Sequence, residues 1–281
     1  MNSLILSIVT FVYGVAAVFY IFGWIFNKQT PGKIATWVML IAWIGNTVGI
    51  LLRWMESYRL GGDYGHAPFS NMYESLVFFG WTIALIYLVL ERRYQFRTLG
   101  ALAAPLACIA LAYASFTPDK SIQPLIPALQ SNWLIAHVIT CFLGYAAFAV
   151  AFAASILYLL KANGGGPSGN GLNYRIPSKD LLDELTHQLV MFGFLFLTAG
   201  IITGAVWAKQ AWTRYWSWDP KETWSLITWL IYAALLHFRM MRGWRGRRIA
   251  ILSIIGFFAV LFTYFGVNYF LAGLHSYGTP T

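Results

Sequence analysis

The sequence holds five histidines and a stretch, WAKQAWTRYWSWDPKETWSLITW, that carries six of its 13 tryptophans: Trp207, Trp212, Trp216, Trp218, Trp224 and Trp229. Neutral imidazole is a common ligand of haem iron, and two imidazoles can hold one iron from both faces of a porphyrin. Indole faces give a large planar ligand apolar area at low entropy cost. The other reading of such a stretch is an interfacial belt, in which Trp anchors helix ends at headgroup depth. Belts are spread over many helix ends, so concentration in one loop fits a platform better. The residue types therefore point to haem. Cys108 and Cys141 sit in separate apolar runs and form no CxxC pair, so no zinc site or disulfide framework is readable. Any thiol chemistry must use a thiol from elsewhere.

The elements that position these residues are membrane spans. Of the 281 residues, 59% are hydrophobic and only 10% charged, which excludes an ordinary soluble enzyme. An aromatic share of 18% excludes disorder. Eight apolar segments approach the length needed to cross a bilayer: Leu4–Phe26, Ile34–Leu52, Asn71–Leu90, Leu99–Phe116, Trp133–Leu160, Leu185–Ala208, Pro220–Phe238 and Ile249–Phe270. The fourth is short and contains Pro105. The first lacks a basic n-region and a small-residue cleavage site, so it reads as a span and not as a secretory signal. The expected fold is all-α and polytopic: one integral membrane domain over residues 1–281, with about eight spans. Residues 162–180, which include GGGPSGNG, read as a flexible linker.

Charge sets the orientation. Of 19 Lys and Arg, 13 lie in the odd-numbered loops, among them Lys28, Arg92, Arg93, Arg97 and the run from Arg239 to Arg248. Those loops are expected on the cytoplasmic side, with both termini and the Trp-rich loop at 207–229 outside. The net charge of +9 thus has a topological cause and implies no nucleic-acid partner.

Depth then sorts the histidines. His137 lies early in span five and His275 just beyond span eight, both near the outer surface; His66 precedes span three on the same side. His237 is 17 residues past Pro220, or about 25 Å along the helix, at the inner boundary. His187, at the start of span six, has similar inner depth. A lone membrane histidine is more often a packing residue than a ligand, but two outer histidines flanking a Trp-rich loop make the strongest pair. His237 ranks next; His187 and His66 rank below it. Lys209, Arg214 and Lys221 could meet haem propionates or could simply solubilise the loop. Asp219, Pro220 and Glu222 have the spacing of a capping box for span seven, which competes with any direct chemical role. Asn71 and Glu74 have the same spacing before span three, and Glu74 sits near a membrane boundary where a carboxylate could be functional.

The segment GAVWAKQAWTRYWSWDPKETWSLITWLIYAALLH, residues 204–237, closely resembles the WWD signature of the CcsA (ResC) family of cytochrome c biogenesis proteins. GHAPFSNMYES (65–75), HVITCFLGYAAF (137–148) and FLAGLHSYG (270–278) extend the resemblance over most of the chain. It implies a haem channel and cytochrome c haem lyase acting with a CcsB (ResB)-type membrane partner. The setting is a bacterial plasma membrane, or alternatively a thylakoid membrane. Haem b would enter from the cytoplasm, pass to an external site under the WWD loop, and meet an apocytochrome c carrying CxxCH. By the resemblance, His137 and His275 are the external iron ligands and His237 the inner one. Trp207, Trp212, Trp216, Trp218, Trp224 and Asp219 belong to the haem-binding signature. The partner would supply the other inner ligand, and His187 is an addition. No catalytic residue is expected from this chain, because two substrate thiols add across the haem vinyl groups. Two other classes stay open. A haem exporter would bind haem without dependence on apocytochrome thiols. A haem- or quinone-carrying electron-transfer subunit would favour histidine pairs at matched depth within the spans, unlike the outer pair here.

Overall fold

In a computed structural model, residues 2–61, 64–117, 120–161 and 175–271 are described. The regular elements among them are helical: α1 (Asn2–Phe26), α2 (Gln29–Leu60), α3 (Met72–Tyr94), α4 (Gly100–Phe116), α5 (Asn132–Leu160), α6 (Lys179–Trp212), α7 (Pro220–Arg242) and α8 (Arg247–Leu261). A single 3₁₀ turn (Pro127–Leu129) precedes α5, and α8 runs through a π turn (Phe262–Gly266) into α9 (Val267–Phe270). Seven helices, with Arg247–Phe270 counted as one, are long and apolar enough to cross a membrane. The chain is a polytopic membrane protein.

The expected fourth span differs. At 17 residues, α4 rises about 25 Å and falls short of a hydrocarbon core of about 30 Å. Helices α2 and α6 depart in the other direction, at 32 and 34 residues. Hydropathy ends the second span near Leu52 because Arg53 follows, yet the helix continues because Arg53 is buried in an ion pair with Glu74.

The helices form two compact units, Met1–Pro124 with Leu159–Leu182, and Leu125–Tyr158 with Asp183–Thr281. In the first, α1 packs on α2 and α4, and α3 packs on α2 and α4. One stripe of α1 (Leu6, Val9, Tyr13, Ala16, Tyr20) is buried, while Leu4, Ile8, Phe11, Val15 and Val18 are exposed. Both stripes are apolar. Lipid cannot tell them apart by hydrophobicity, so packing and hydrogen bonds decide which face turns inward. Tyr20 shows this: its hydroxyl donates to the buried Glu91 of α3 at 2.6 Å.

In the second unit, α5 is central and is buried without a break from Gly144 to Ala151. Its approach to α6 is close enough that a Cβ on Gly144 would lie 3.0 Å from the Gly193 carbonyl oxygen. Small residues at such crossings are how membrane helices gain van der Waals contact without a hydrophobic driving force.

Candidate functional site

The site is built where α5 crosses α6. Gly200 and Gly204 present bare backbone to α5, and His137 lies against them; a Cβ on Gly204 would sit 2.6 Å from His137 Nδ1. That closeness lets His137 Nδ1 reach the Gly200 carbonyl at 2.8 Å. A carbonyl oxygen only accepts, so Nδ1 is the protonated nitrogen and the lone pair belongs to Nε2. Fixing one ring nitrogen through a backbone carbonyl is how metal-ligating histidines have their tautomer set. Cys141 Sγ is 3.6 Å from the same Nδ1.

Trp207 covers the imidazole. Its ring stacks on His137 with centroids 5.8 Å apart and planes at 21°. The indole is buried, and its Nε1 donates to the Ala128 carbonyl at 2.8 Å. Trp212 meets Trp207 edge-on at 4.9 Å.

The loop after α6 begins and ends with left-handed non-glycine residues, Thr213 (φ 63°) and Trp218 (φ 59°). Lys209 Nζ donates to the Thr213 carbonyl at 3.0 Å and so closes the end of α6. Trp216 and Trp218 meet at 89° with centroids 5.7 Å apart, and Trp218 is 69% exposed. Asp219 is buried and acts as the N-cap of α7: its Oδ1 accepts from Lys221 N at 2.9 Å, and Glu222 Oε2 accepts from Asp219 N at 3.2 Å. The capping-box expectation for Asp219 and Glu222 is met. Glu222 also accepts from Ser217 N at 2.7 Å, which pins the loop to the helix.

The six tryptophans therefore divide. Trp207 and Trp212 shape the His137 corner, and a half-buried Trp216 meets the exposed Trp218. Trp224 packs on Phe262 of the π turn at 4.2 Å. Trp229 lies deeper, its Nε1 donating to Thr198 Oγ1 at 2.8 Å. The three cations divide as well. Lys209 is engaged as above, and Lys221 Nζ donates to Asn268 Oδ1 at 2.9 Å. Arg214 is exposed and makes no hydrogen bond with the described residues.

The other histidines are placed differently. His275 lies outside the described residues, as does most of the Gly-rich linker. His237 is exposed on α7. It is two residues, or about 200° around the helix, from Arg239, which bonds Asp183 of α6 at 2.7 Å. His187, one turn beyond Asp183 on α6, has a buried Nδ1 with no hydrogen-bond partner. His66 is buried in the first unit, with Nδ1 2.7 Å from the Tyr64 carbonyl and Nε2 3.2 Å from Ser70 Oγ. Among the described residues, no three His, Cys, Asp or Glu side chains cluster to hold a metal ion. Asn71 caps α3 as expected, accepting from Glu74 N at 2.9 Å. The Glu74 carboxylate does more than cap: it binds Arg53 Nε at 2.7 Å and accepts from Ser70 N and Oγ.

Gly200 and Gly204 were not among the residues singled out from the sequence. Their signal is the GxxxG spacing in span six, which marks a close helix contact. Arg53 was counted only as a loop charge.

A family model described as "Cytochrome C assembly protein" matches residues 69–275. The relative "Cytochrome c biogenesis protein CcsA" of Prochlorococcus marinus is 39% identical over 91% of this chain and 87% of its own length. That of Parasynechococcus marenigrum is 40% identical over 91% and 90%. That of Pyropia yezoensis is 37% identical over 97% of both chains. This chain belongs to the CcsA family. As a CcsA-family chain it is an integral membrane protein of cytochrome c biogenesis, a process that handles haem. Among solved structures it is similar in fold to "Cytochrome c Heme Lyase CcmF", with a TM-score of 0.69 at 18% identity over 94% of this chain. The chain spans 46% of that protein, slightly less than half.

Proposed function

We propose that this chain moves haem across the membrane and presents it to an apocytochrome c at a site formed by His137, His275 and the Trp-rich loop. The observation that carries the reading is the fixed tautomer of His137, whose lone pair on Nε2 suits it to an iron. Trp207, backed by Trp212, holds that imidazole from one side, and the exposed Trp218 beside the half-buried Trp216 offers an indole face to a flat ring. Arg214 is the loop cation best placed by its exposure to meet a propionate.

The substrate haem in this reading is haem b, whose two vinyl groups are the reacting carbons. Each cysteine of the CxxCH segment adds its sulfur to one vinyl carbon and its proton to the other, forming a thioether with no leaving group. This chain contributes position and not a nucleophile, since a held haem edge raises the effective concentration of the vinyl carbons at the thiols. His237, exposed on α7, is the inner ligand. Its exposure supports a shared site in which a CcsB (ResB)-type partner provides the opposing group. The positive-inside count places the Trp-rich loop and both termini on the external side of a bacterial plasma or thylakoid membrane.

His137→Ala and His275→Ala test the outer site. Each should change a six-coordinate low-spin spectrum and lower covalent cytochrome c yield, and added imidazole should restore the spectrum. Normal spectra and yields in both variants would overturn the ligand assignment. A cysteine at Ser217, but not one at Gly243, should react with a membrane-impermeant thiol reagent in intact cells; the reverse pattern would overturn the orientation.

A further inference from the structure

A groove lies between α2 and α3 in the first unit, apart from the histidines and tryptophans discussed above. Its volume is about 360 Å³. Leu40 and Trp43 of α2 and Leu85, Leu88 and Val89 of α3 form its wall. Within each helix these positions recur every three or four residues, so they form one stripe on each facing surface. Val89 is 58% exposed, which leaves the groove open along its side. Its deep end is closed by Trp43 stacked on Trp81, with centroids 5.5 Å apart and planes at 26°.

The mouth is basic. Arg92 and Arg97 line it together with Gln95, Thr36 and Glu91. Glu91 is turned inward: it accepts from the hydroxyls of Tyr20 at 2.6 Å and Tyr87 at 2.7 Å, and also from Thr36. Arg97 Nε meets Glu91 Oε1 and Thr36 Oγ1, each at 3.1 Å. This network holds the Arg97 side chain in place through Nε, and its terminal Nη groups form no hydrogen bond with the described residues. The exposed guanidinium of Arg92 likewise has no hydrogen bond among them. Trp43, one of the lining residues, has a buried indole N–H that lacks an acceptor. A buried donor without a partner is costly, and it marks a place where an acceptor belongs.

We propose that this groove is a binding site for an acidic phospholipid. The phosphate sits at Arg92 and Arg97, an ester carbonyl accepts from Trp43 Nε1, and the start of an acyl chain lies along Leu40, Leu85, Leu88 and Val89. From Thr36 to Trp43 is seven residues, or about 10 Å of helix, which matches a headgroup-to-chain boundary. Basic pockets between membrane helices recognise anionic headgroups in this way. Haem fits the groove less well, because no His, Cys or Met is among its lining residues to ligate iron.

The test uses the full chain in detergent micelles, with native mass spectrometry reading bound dioleoylphosphatidylglycerol against dioleoylphosphatidylcholine. Wild type should retain the anionic lipid preferentially. Arg92→Gln, an exposed change that leaves the Glu91 network intact, should weaken that retention roughly fivefold, the effect of one basic residue. Leu88→Trp should fill the groove and lower phosphatidylglycerol binding further; elution as a single species and an unchanged helical spectrum would show that it folds. Equal retention of the two lipids by wild type, or unchanged retention in Arg92→Gln, would overturn the proposal. So would a loss of haem in Leu88→Trp with phosphatidylglycerol unaffected, because the groove would then serve haem.

Discussion

His66 and His137 both lie close to a helix start, and their surroundings are opposite in kind. His66 is 6% exposed, with Nδ1 on the Tyr64 carbonyl and Nε2 on Ser70 Oγ. Its Nδ1 gives a proton to a carbonyl, and its Nε2 is engaged by the Ser70 hydroxyl oxygen. Ser70 in turn joins Glu74, and Glu74 joins Arg53. His137 also gives its Nδ1 proton to a carbonyl, that of Gly200, but it lies on a glycine surface under an indole. One histidine closes a buried polar chain that holds two helices, while the other has its tautomer set by a helix carbonyl beside a stacked indole. The residue type is the same at the two positions. What separates them is the surroundings of the ring, a polar chain at His66 and glycine backbone with a stacked indole at His137.

The sharpest way to break this contrast is to remove each imidazole in turn. His137→Ala should lose most bound haem and nearly all covalent cytochrome c formation, read by absorption spectroscopy and haem staining. His66→Ala should leave the haem spectrum per folded molecule unchanged and lower thermal stability by about 1–3 kcal/mol, the cost of unpaired buried groups at Tyr64 and Ser70. If His66→Ala abolishes the low-spin spectrum while folding normally, the contrast fails.

The next largest effect belongs to the ion pair that His66 supports. Arg53 and Glu74 have side-chain exposures of 3% and 1%, and Arg53 also donates to the Lys120 and Ser121 carbonyls at 2.9 and 3.1 Å. Arg53→Ala leaves a buried carboxylate uncompensated, so stability should fall by about 3–5 kcal/mol. Denaturation in detergent measures the loss. A matched removal of both charges, Arg53→Met with Glu74→Gln, should recover part of it.

The contrast between the two histidines also shows what is legible in a sequence. Two helix starts were readable from their caps: Asn71 and the Asp219–Glu222 pair cap α3 and α7 as their spacing requires. Helix ends were not readable where a polar residue is paired at a distance. Arg53 ends the hydropathic run, but Glu74, 21 residues away, lets α2 continue to Leu60. The positions of His137 and His237 along α5 and α7 follow from counting residues along a helix. Their environments depend on which face meets which neighbour, and that is set by Gly200 and Gly204 for His137 and by the Arg239–Asp183 pair for α7. Charge type did not separate Lys209, which closes α6, from Arg214, which stays exposed; their hydrogen bonds did.

Gly204→Ala sharpens the contrast without touching a ligand. The added methyl would meet His137 Nδ1 at 2.6 Å, a separation no relaxed contact has, so the imidazole must tilt or α6 must move. Either response weakens the bond to the Gly200 carbonyl that sets the tautomer. Loss of such an outer partner lowers metal affinity about tenfold or more, and haem titration of the purified variant should show a loss of that order. Stability should change little, because helix propensity favours Ala over Gly by about 1 kcal/mol and offsets part of the packing strain. Unaltered haem affinity would mean that the close crossing of α5 and α6 serves packing only.

The smallest effects should come from the loop cations, and they differ in kind. Lys209→Ala removes a hydrogen bond to the Thr213 carbonyl and a contact 5.7 Å above the Tyr215 ring. Arg214→Ala removes an exposed guanidinium with no hydrogen bond to the described residues. An exposed charge contact is worth about 1 kcal/mol or less, so neither change should alter haem retention more than about fivefold. The two should separate under salt. If Arg214 meets a propionate, wild-type retention should weaken as ionic strength rises, and Arg214→Ala should flatten that dependence because screening acts on exposed charges. Lys209→Ala should keep the wild-type slope and instead loosen the end of α6, seen as faster hydrogen exchange around Thr213. A flat salt dependence in wild type would remove the propionate role from Arg214 and leave it as a solubilising charge.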